Sequence, residues 1–270
     1  MLQPYSKYKN LQLQESQAHR AAIRTGEYQG TTSGLAPGFV QGNVVILPAA
    51  YADDFYKFCQ QNPTPCPLIS VSEPGDPTMP SLGQNLDIRY DVPEYLVFRD
   101  GQRAESLFDL DSVWRDDLVT FVLGCSFSFE DALQSAGIPV RNVDSCLNVS
   151  MFRTNIPTHP VGPFKGNLVV TMRPFSPKNA IRAVQITTRL PKAHGAPVHL
   201  GDPSLIGIRD LSRPEFGDAV NVMNDEIPVF WGCGVTTQVA LEGAKLPFAI
   251  THMPGKMIIT ELLNEELAVL

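Results

Sequence analysis

The sequence lacks both clustered positive charge and a long apolar segment. Its 270 residues carry 21 Lys and Arg against 28 Asp and Glu, which gives a formal net charge of −7 at pH 7. Because phosphate binding needs clustered basic side chains, this balance argues against a nucleic-acid partner. The longest apolar runs, such as residues 44–47, are much shorter than the roughly 20 residues of a membrane helix. We therefore expect neither a nucleic-acid nor a membrane partner.

Cysteine is scarce, and its spacing does not form a recognisable framework. The five cysteines include no Cys-x-x-Cys pair and no His two to four residues from a Cys. This spacing favours reduced thiols in a cytoplasmic protein and predicts no bound metal. The glycine-rich segment 31–38 lacks the Lys-Ser/Thr of a phosphate-binding loop, so no nucleotide cofactor is expected.

The chain does contain short segments of similar sequence that recur in its two halves. Four segments recur in the same order: 38–48 as 162–170, 73–77 as 199–203, 88–94 as 208–215, and 124–133 as 232–241. In the first and last of these pairs, glycine lies next to an apolar, strand-like run. This pattern predicts a duplicated β-α-β unit, with parallel strands joined by crossover helices.

The predicted fold class is therefore α/β with mixed sheets, arranged as two domains with a crevice between them. The first domain takes residues 1–157 and begins with an amphipathic helix over residues 7–24. The second takes residues 158–270, and its C-terminal segment is expected to pack back on the first. Ligands favour crevices where strand ends from two such units meet.

In both copies a strand-like run stops at Gly-Cys and passes into a helical pattern, at Cys125 and at Cys233. A thiol at a helix N-terminus has a lowered pKa and lies beside free N–H groups that bind anions. The alternative is that both cysteines are small buried hydrophobes beneath a tight turn. Four hydroxyl residues of these turns are candidate substrate ligands: Ser126, Ser128, Thr236 and Thr237.

The copies differ at positions that could exchange protons. Glu73 matches His199, and Glu130 matches Gln238. An acid facing a base is a proton-transfer pair when burial tunes both groups. Each also has a structural interpretation, Glu130 as a helix first-turn acid and His199 as part of a Gly-Asp-Pro turn.

Three further residues are candidates for binding a carboxylate substrate. Arg153 and Arg173 lie on strand-like segments, where a guanidinium in a cleft would hold a carboxylate through two hydrogen bonds. A surface ion pair is the commoner role for such arginines. His194 flanks the same Gly-Ala-Pro turn as His199 and is taken as a substrate-binding residue.

Five segments together resemble the bacterial hydro-lyase family related to D-glutamate cyclase. They are GLAPGFVQ at 34–41, VSEPGDP at 71–77, LGCSFSFE at 123–130, HGAPVH at 194–199 and FWGCGVT at 230–236. The resemblance spans nearly the whole chain, although Gly42 and Gly232 stand where the family often has alanine. It implies a lyase of amino-acid metabolism acting on a small acidic molecule. In the characterised branch, D-glutamate closes to 5-oxo-D-proline with loss of water.

The resemblance supplies a reaction without residue roles, and these we assign from the chemistry. Cyclisation needs a free amine, an electrophilic γ-carboxyl, donors for the oxyanion and a clamp on the α-carboxylate. The Gly-Cys turns of Cys125 and Cys233 are expected to supply the donors. Arg153 or Arg173 would hold the α-carboxylate. His199 or Glu73 would exchange protons, with Glu130 nearby.

Two other functions fit the same features. Cysteines at related strand ends are what a cofactor-independent amino-acid racemase uses, with one thiol on each face of Cα. A non-catalytic protein that binds a small carboxylate would use the same turns without turnover. Homo-oligomer formation is compatible with all three.

Overall fold

The computed structural model describes residues 4–269, with side chains from residue 13 onward. Six α-helices lie in this range: α1 Pro4–Arg24, α2 Ala52–Gln61, α3 Phe127–Ser135, α4 Arg141–Asp144, α5 Pro177–Thr187 and α6 Thr236–Ala244. The helix predicted over 7–24 is confirmed and begins at Pro4. Within the described residues, no helix has both the length and the apolarity that crossing a membrane requires.

Eleven strands of the described chain form two sheets. The strands are β1 Phe39–Pro48, β2 Leu68–Val71, β3 Tyr95–Arg99, β4 Gln102–Leu107, β5 Leu118–Gly124, β6 Ser150–Pro157, β7 Asn167–Phe175, β8 His199–Leu200, β9 Ile227–Gly232, β10 Ala249–His252 and β11 Ile258–Leu263. The large sheet has the order β2-β5-β1-β10-β3-β4, with β11 also paired to β1. The small sheet has the order β6-β7-β9-β8. The α/β class is confirmed.

The predicted parallel pairing is wrong, because every strand pair in both sheets is antiparallel. The crossover helix α2 does return the chain in the direction of β1. However, β5 then inserts between β1 and β2 and runs antiparallel to both. In the small sheet, β9 inserts in the same way between β7 and β8. The unit is a split β-α-β motif, which the local pattern does not distinguish from an adjacent parallel pair.

The two sheets share an order of elements, β2-β5-β1-β10 in one and β8-β9-β7-β6 in the other. Their registers differ, since Gly42 lies opposite Gly124 whereas Val170 lies opposite Gly232. The internal duplication therefore stays a prediction.

The two sheets divide the chain at other positions than the predicted domain boundary after residue 157. β6 comes before that boundary yet pairs with β7 in the small sheet. β10 and β11 leave the small sheet and pair with β1 in the large one. The small sheet is thus an insertion between β5 and β10.

The helices that follow β5 and β9 each pack against the other sheet, not the sheet of the strand that precedes them. This packing positions the site. α3 follows β5 of the large sheet, but its Phe129 packs with Trp231 of the small sheet. α6 follows β9 of the small sheet, but its Leu241 packs with Phe121 of the large sheet. Both strand-to-helix turns therefore lie between the sheets.

The large-sheet core gives a test of this packing. Phe121 is almost fully buried and packs edge-on against Phe55, with ring centroids 4.9 Å apart. We expect Phe121→Ala to lower the free energy of unfolding by about 3–5 kcal/mol, because it leaves a cavity. Phe108→Ala, at a position that is 54% exposed, is the control and should change it by about 0.5 kcal/mol or less. Urea unfolding of both variants measures the difference, and equal losses would contradict the packing.

Candidate functional site

The structure brings the two Gly-Cys turns together. The first elbow, residues 124–126, joins β5 to α3, and the second elbow, residues 232–234, joins β9 to α6. Cys125 and Cys233 belong to one apolar cluster, which also contains Phe127, Val235 and Met257. The two cysteines retain 7% and 6% exposure, so they lie at the inner edge of the surface.

The two thiols have the same local environment. The N–H of Phe127 donates to the thiol of Cys125, and the N–H of Val235 donates to the thiol of Cys233. These bonds lower the thiol pKa, but burial outweighs them and raises the pKa of Cys125 to about 12 and that of Cys233 to about 11. Both groups are therefore protonated at neutral pH. The expected low pKa of a helix N-terminal thiol is not found, because burial disfavours the charged thiolate.

Backbone donors remain free at both elbows. Within the described structure, the N–H groups of Cys125, Ser126 and Gly234 have no acceptor. Each elbow also lies at the positive end of a nine-residue helix. Free N–H groups at helix N-termini bind anions and developing negative charge. We call the free N–H groups of the two elbows the anion cup, and that they bind an anion stays a prediction.

Asn43 on β1 connects the two elbows, and sequence reasoning missed it. Its amide donates to the carbonyl of Gly124 at 2.7 Å. The same amide packs so closely on Gly234 that a Cβ there would lie 2.2 Å from the amide carbon. The available signal was a polar residue inside the apolar strand 39–48, which is buried throughout.

Arg173 and Glu130 form a fully buried ion pair beside the elbows. The Nε–H of Arg173 donates to Glu130 Oε1 at 2.9 Å, and one NH2 group donates to Ser126 Oγ at 3.0 Å. The other NH2 group donates to Thr171 Oγ1 at 2.9 Å. Most of the guanidinium is therefore occupied by protein oxygens. Arg173 anchors the first elbow and supplies positive charge, rather than holding a substrate carboxylate with two free N–H groups.

His194 is buried next to the elbows in the left-handed backbone region, with φ of 74°. Its Nδ1 lies 2.8 Å from the carbonyl oxygen of Thr64, so Nδ1 carries the hydrogen. Burial, supported by the charge of Arg173, lowers the pKa of His194 to about 4. The ring is neutral at physiological pH. Its Nε2 lone pair has no donor among the described residues and is available as a base.

The predicted hydroxyl ligands serve mainly as anchors of the elbows. Ser128 Oγ accepts from Gln41 N–H at 3.2 Å, and Thr236 Oγ1 accepts from Val169 N–H at 3.0 Å. Thr237 Oγ1 donates to the carbonyl of Gly234 at 2.7 Å. These bonds fix the turns against β1 and β7.

Glu73 lies away from the elbows. It is exposed, in a turn whose Gly75 N–H donates to the carbonyl of Leu118. Leu118 begins β5, and at about 3.3 Å per residue it lies about 20 Å from Gly124. Glu73 is thus at the opposite end of this strand from Cys125.

His199 and Arg153 are also not at the elbows. His199 lies opposite Phe230 on the face of the small sheet that points away from Trp231 and Arg173. Arg153 is 41% exposed, forms an ion pair with Glu242 at 2.9 Å and stacks on Phe216. Its role in the structure is a surface ion pair.

Comparison with known proteins gives a consistent family. Residues 119–261 match the family described as D-glutamate cyclase. A protein of Aliivibrio salmonicida named "putative hydro-lyase" is 58% identical over 251 residues, which is 93% of this chain and 96% of the relative. A protein of Bordetella petrii with the same description is 56% identical over 259 residues, 95% and 98% of the two chains. A crystal structure of a nitrogen repressor-like protein from Methanococcus jannaschii aligns with a TM-score of 0.38 and 10% identity, covering 92% and 99% of the chains.

The buried ion pair predicts a large effect of a small change. Glu130→Gln should lower the free energy of unfolding by about 3–5 kcal/mol, because it leaves the buried Arg173 charge without its partner. Glu105→Gln is the matched control, since Glu105 pairs with Arg99 on the exposed surface, and about 1 kcal/mol or less is expected. The double variant Glu130→Gln/Arg173→Met should recover part of the loss. Chemical denaturation measures all three, and an effect of Glu130→Gln no larger than the control would contradict the pair's importance.

Buried His194 also predicts a pH dependence of stability. The unfolded chain binds a proton at this residue below its ordinary pKa of 6.5, whereas the folded protein does so only near pH 4. Stability therefore falls as pH is lowered through this window. In His194→Gln the fall should be shallower by about 1 kcal/mol per pH unit. Unfolding curves at several pH values measure the slope, with the exposed His159→Gln as control; an unchanged slope in His194→Gln would contradict a neutral buried ring.

Proposed function

The chain belongs to the D-glutamate cyclase family, and from that premise we propose that it is a hydro-lyase that closes D-glutamate to 5-oxo-D-proline. The observation that carries this proposal is the meeting of two elbows with free N–H groups, two protonated thiols and a neutral histidine. A site of this kind stabilises an oxyanion and moves protons at neutral pH without carrying negative charge of its own.

In the proposed reaction, the γ-carboxyl group of the substrate binds in the anion cup. The free N–H groups of Cys125, Ser126 and Gly234 hold the oxygen on which negative charge develops. The elbow geometry depends on Asn43, which bonds to one elbow and packs on the other. This rigid arrangement is what an oxyanion site requires, because its donors must be in place before the charge forms.

Nε2 of His194 is the proposed proton carrier. It takes a proton from the substrate ammonium, so that the free amine attacks the γ-carbon and forms the C–N bond. The tetrahedral intermediate then breaks its bond to one carboxyl oxygen. That oxygen leaves as water with the two protons lost by nitrogen, so the atoms balance. The thiols of Cys125 and Cys233, being protonated, are donors to the oxygens rather than nucleophiles.

The two-cysteine racemase is the second candidate, and the shared cluster of Cys125 and Cys233 is the observation that favours it. It requires a thiolate at rest, which the raised pKa of both thiols opposes. Deuterium incorporation at Cα without ring closure distinguishes it. Tight binding of an acidic amino acid without any product would instead indicate a carboxylate-binding protein.

The proposal is tested by incubating the protein with a panel of D- and L-acidic amino acids and hydroxy acids, with loss of water followed by mass spectrometry. We expect D-glutamate to be converted to 5-oxo-D-proline. His194→Gln should lower kcat by about 10²–10⁴-fold, as expected for removal of a general base. The matched control is His199→Gln, on the other face of the small sheet, which should keep activity within about twofold. Full activity of His194→Gln, or dependence on His199 instead, would overturn the assignment.

A further inference from the structure

A small cavity lies beside the first elbow and is not used by the proposed reaction. It measures about 50 Å³ and lies beneath the glycine-rich loop 34–38, against the first turns of α3. Gln41 of β1 and Asn264, which follows β11, complete its wall. We refer to it as the loop pocket. Phe127 lines the loop pocket and also belongs to the apolar cluster of the two thiols.

Two buried amide oxygens on this wall have no partner. Gln41 is 3% exposed, and both hydrogens of its amide nitrogen are used, by the carbonyls of Thr32 at 2.8 Å and Leu35 at 2.9 Å. The orientation of the amide is therefore fixed, and its Oε1 remains a buried acceptor without a donor. Asn264 Oδ1 is a second such acceptor. Buried oxygens without donors are costly, so they indicate a guest that supplies positive charge or hydrogen.

The acidic side chains of the loop pocket also favour a positively charged guest. Glu130 lines it, and both Arg173 and Asn142 donate to Oε1 of this carboxylate, which leaves Oε2 without a partner in the described structure. Asp131 lines it as well. Arg173 neutralises one of the two carboxylates, so the pocket carries about one uncompensated negative charge.

We propose that the loop pocket is a binding site for a small, singly charged cation, either a potassium ion or an ammonium group. Gln41 Oε1, Asn264 Oδ1 and the carboxylates of Glu130 and Asp131 are oxygen acceptors on its wall, which suits hard cations and N–H donors. One positive charge balances the residual negative charge. The volume of about 50 Å³ exceeds the roughly 10–15 Å³ that a cavity needs to hold one water molecule, so a guest of that size fits.

This chemistry has two sources, a free ion or the ammonium group of an amino-acid ligand. The first makes the site independent of the proposed reaction. The second is the ammonium group of a separately bound amino acid, since the amine of the reacting substrate meets Nε2 of His194 in the proposed reaction. The experiment below has one arm for each source, and its first arm does not depend on turnover.

The first arm measures thermal unfolding of the whole protein in KCl and NH4Cl against tetramethylammonium chloride at equal ionic strength. We expect the midpoint to rise and saturate with K⁺ or NH4⁺ only, because a ligand that binds the folded state stabilises it. Crystals soaked in RbCl should show an anomalous peak between Gln41 Oε1 and Asn264 Oδ1.

Two variants test the named ligands in the same assay. Asp131→Asn and Asn264→Leu should each weaken the ion response by about tenfold, since each removes an oxygen or charge that the guest contacts. Asp117→Asn is the control of equal charge change, on the exposed surface at the start of β5. It should leave the response as in wild type.

The second arm compares binding of D-glutamate with binding of glutarate, which lacks the amine, by calorimetry. If the ligand ammonium occupies the pocket, Asn264→Leu weakens D-glutamate and not glutarate, and K⁺ competes with D-glutamate. If a free ion occupies it, K⁺ stabilises the protein without competing. The proposal is overturned if no singly charged cation has an effect in either arm, or if Mg²⁺ alone reproduces it. If the wild-type protein responds to the ion but does not convert D-glutamate, only the proposed function is contradicted.

Discussion

The ion pair between Arg173 and Glu130 is the contact on which the arrangement of the site depends. Arg173 belongs to β7 of the small sheet, while Glu130 belongs to α3, which continues from β5 of the large sheet. Burying both charges is costly, and here the cost is offset by hydrogen bonds on the shared oxygen and by stacking on Phe129 and Trp231. The pair joins the two sheets at the first elbow and holds Ser126 in place.

Burial of its titratable groups gives the site its electrostatic character. Burial raises the pKa of both thiols and lowers the pKa of His194, so each group is held in its neutral form. The fixed charges and backbone dipoles then act in a medium of low polarity, where they are stronger than in water. A substrate with one carboxylate to be made electrophilic and one amine to be deprotonated meets donors for the first and a base for the second.

Local patterns in the sequence are sufficient to locate the elbows. They are insufficient to predict which residues from distant parts of the chain contact the elbows. The strand, Gly-Cys and helix at Cys125 and Cys233 form a local unit, so the pattern predicts their structure directly. Asn43 reaches these turns from a strand far away in the chain, and only the pairing of β1 with β5 brings it there. The antiparallel arrangement was missed because a strand that inserts later leaves no mark on the β-α-β pattern.

Sequence patterns also cannot decide which of His194 and His199 lies at the site, although the two are only five residues apart. The two flank one turn, and their spacing does not reveal which points inward. His194 is buried and bonds to Thr64, which contacts Gly232 of the second elbow, whereas His199 enters the edge strand β8 on the other face. Arg173 was placed near the substrate from its position on the strand, but its occupied hydrogen bonds become evident only when Glu130 and Thr171 are seen beside it.

The central position of β1 has a consequence for biosynthesis. This strand pairs with β5 but also with β10 and β11, and Gln41 lies opposite Ile259, far later in the chain. A ribosome therefore has to release β10 and β11, within residues 249–263, before one side of β1 is covered. Until then the nascent chain presents an apolar strand edge, the kind of surface that aggregates and that chaperones bind. Pairings so distant in sequence also slow folding, which extends the period in which the newborn protein needs such protection.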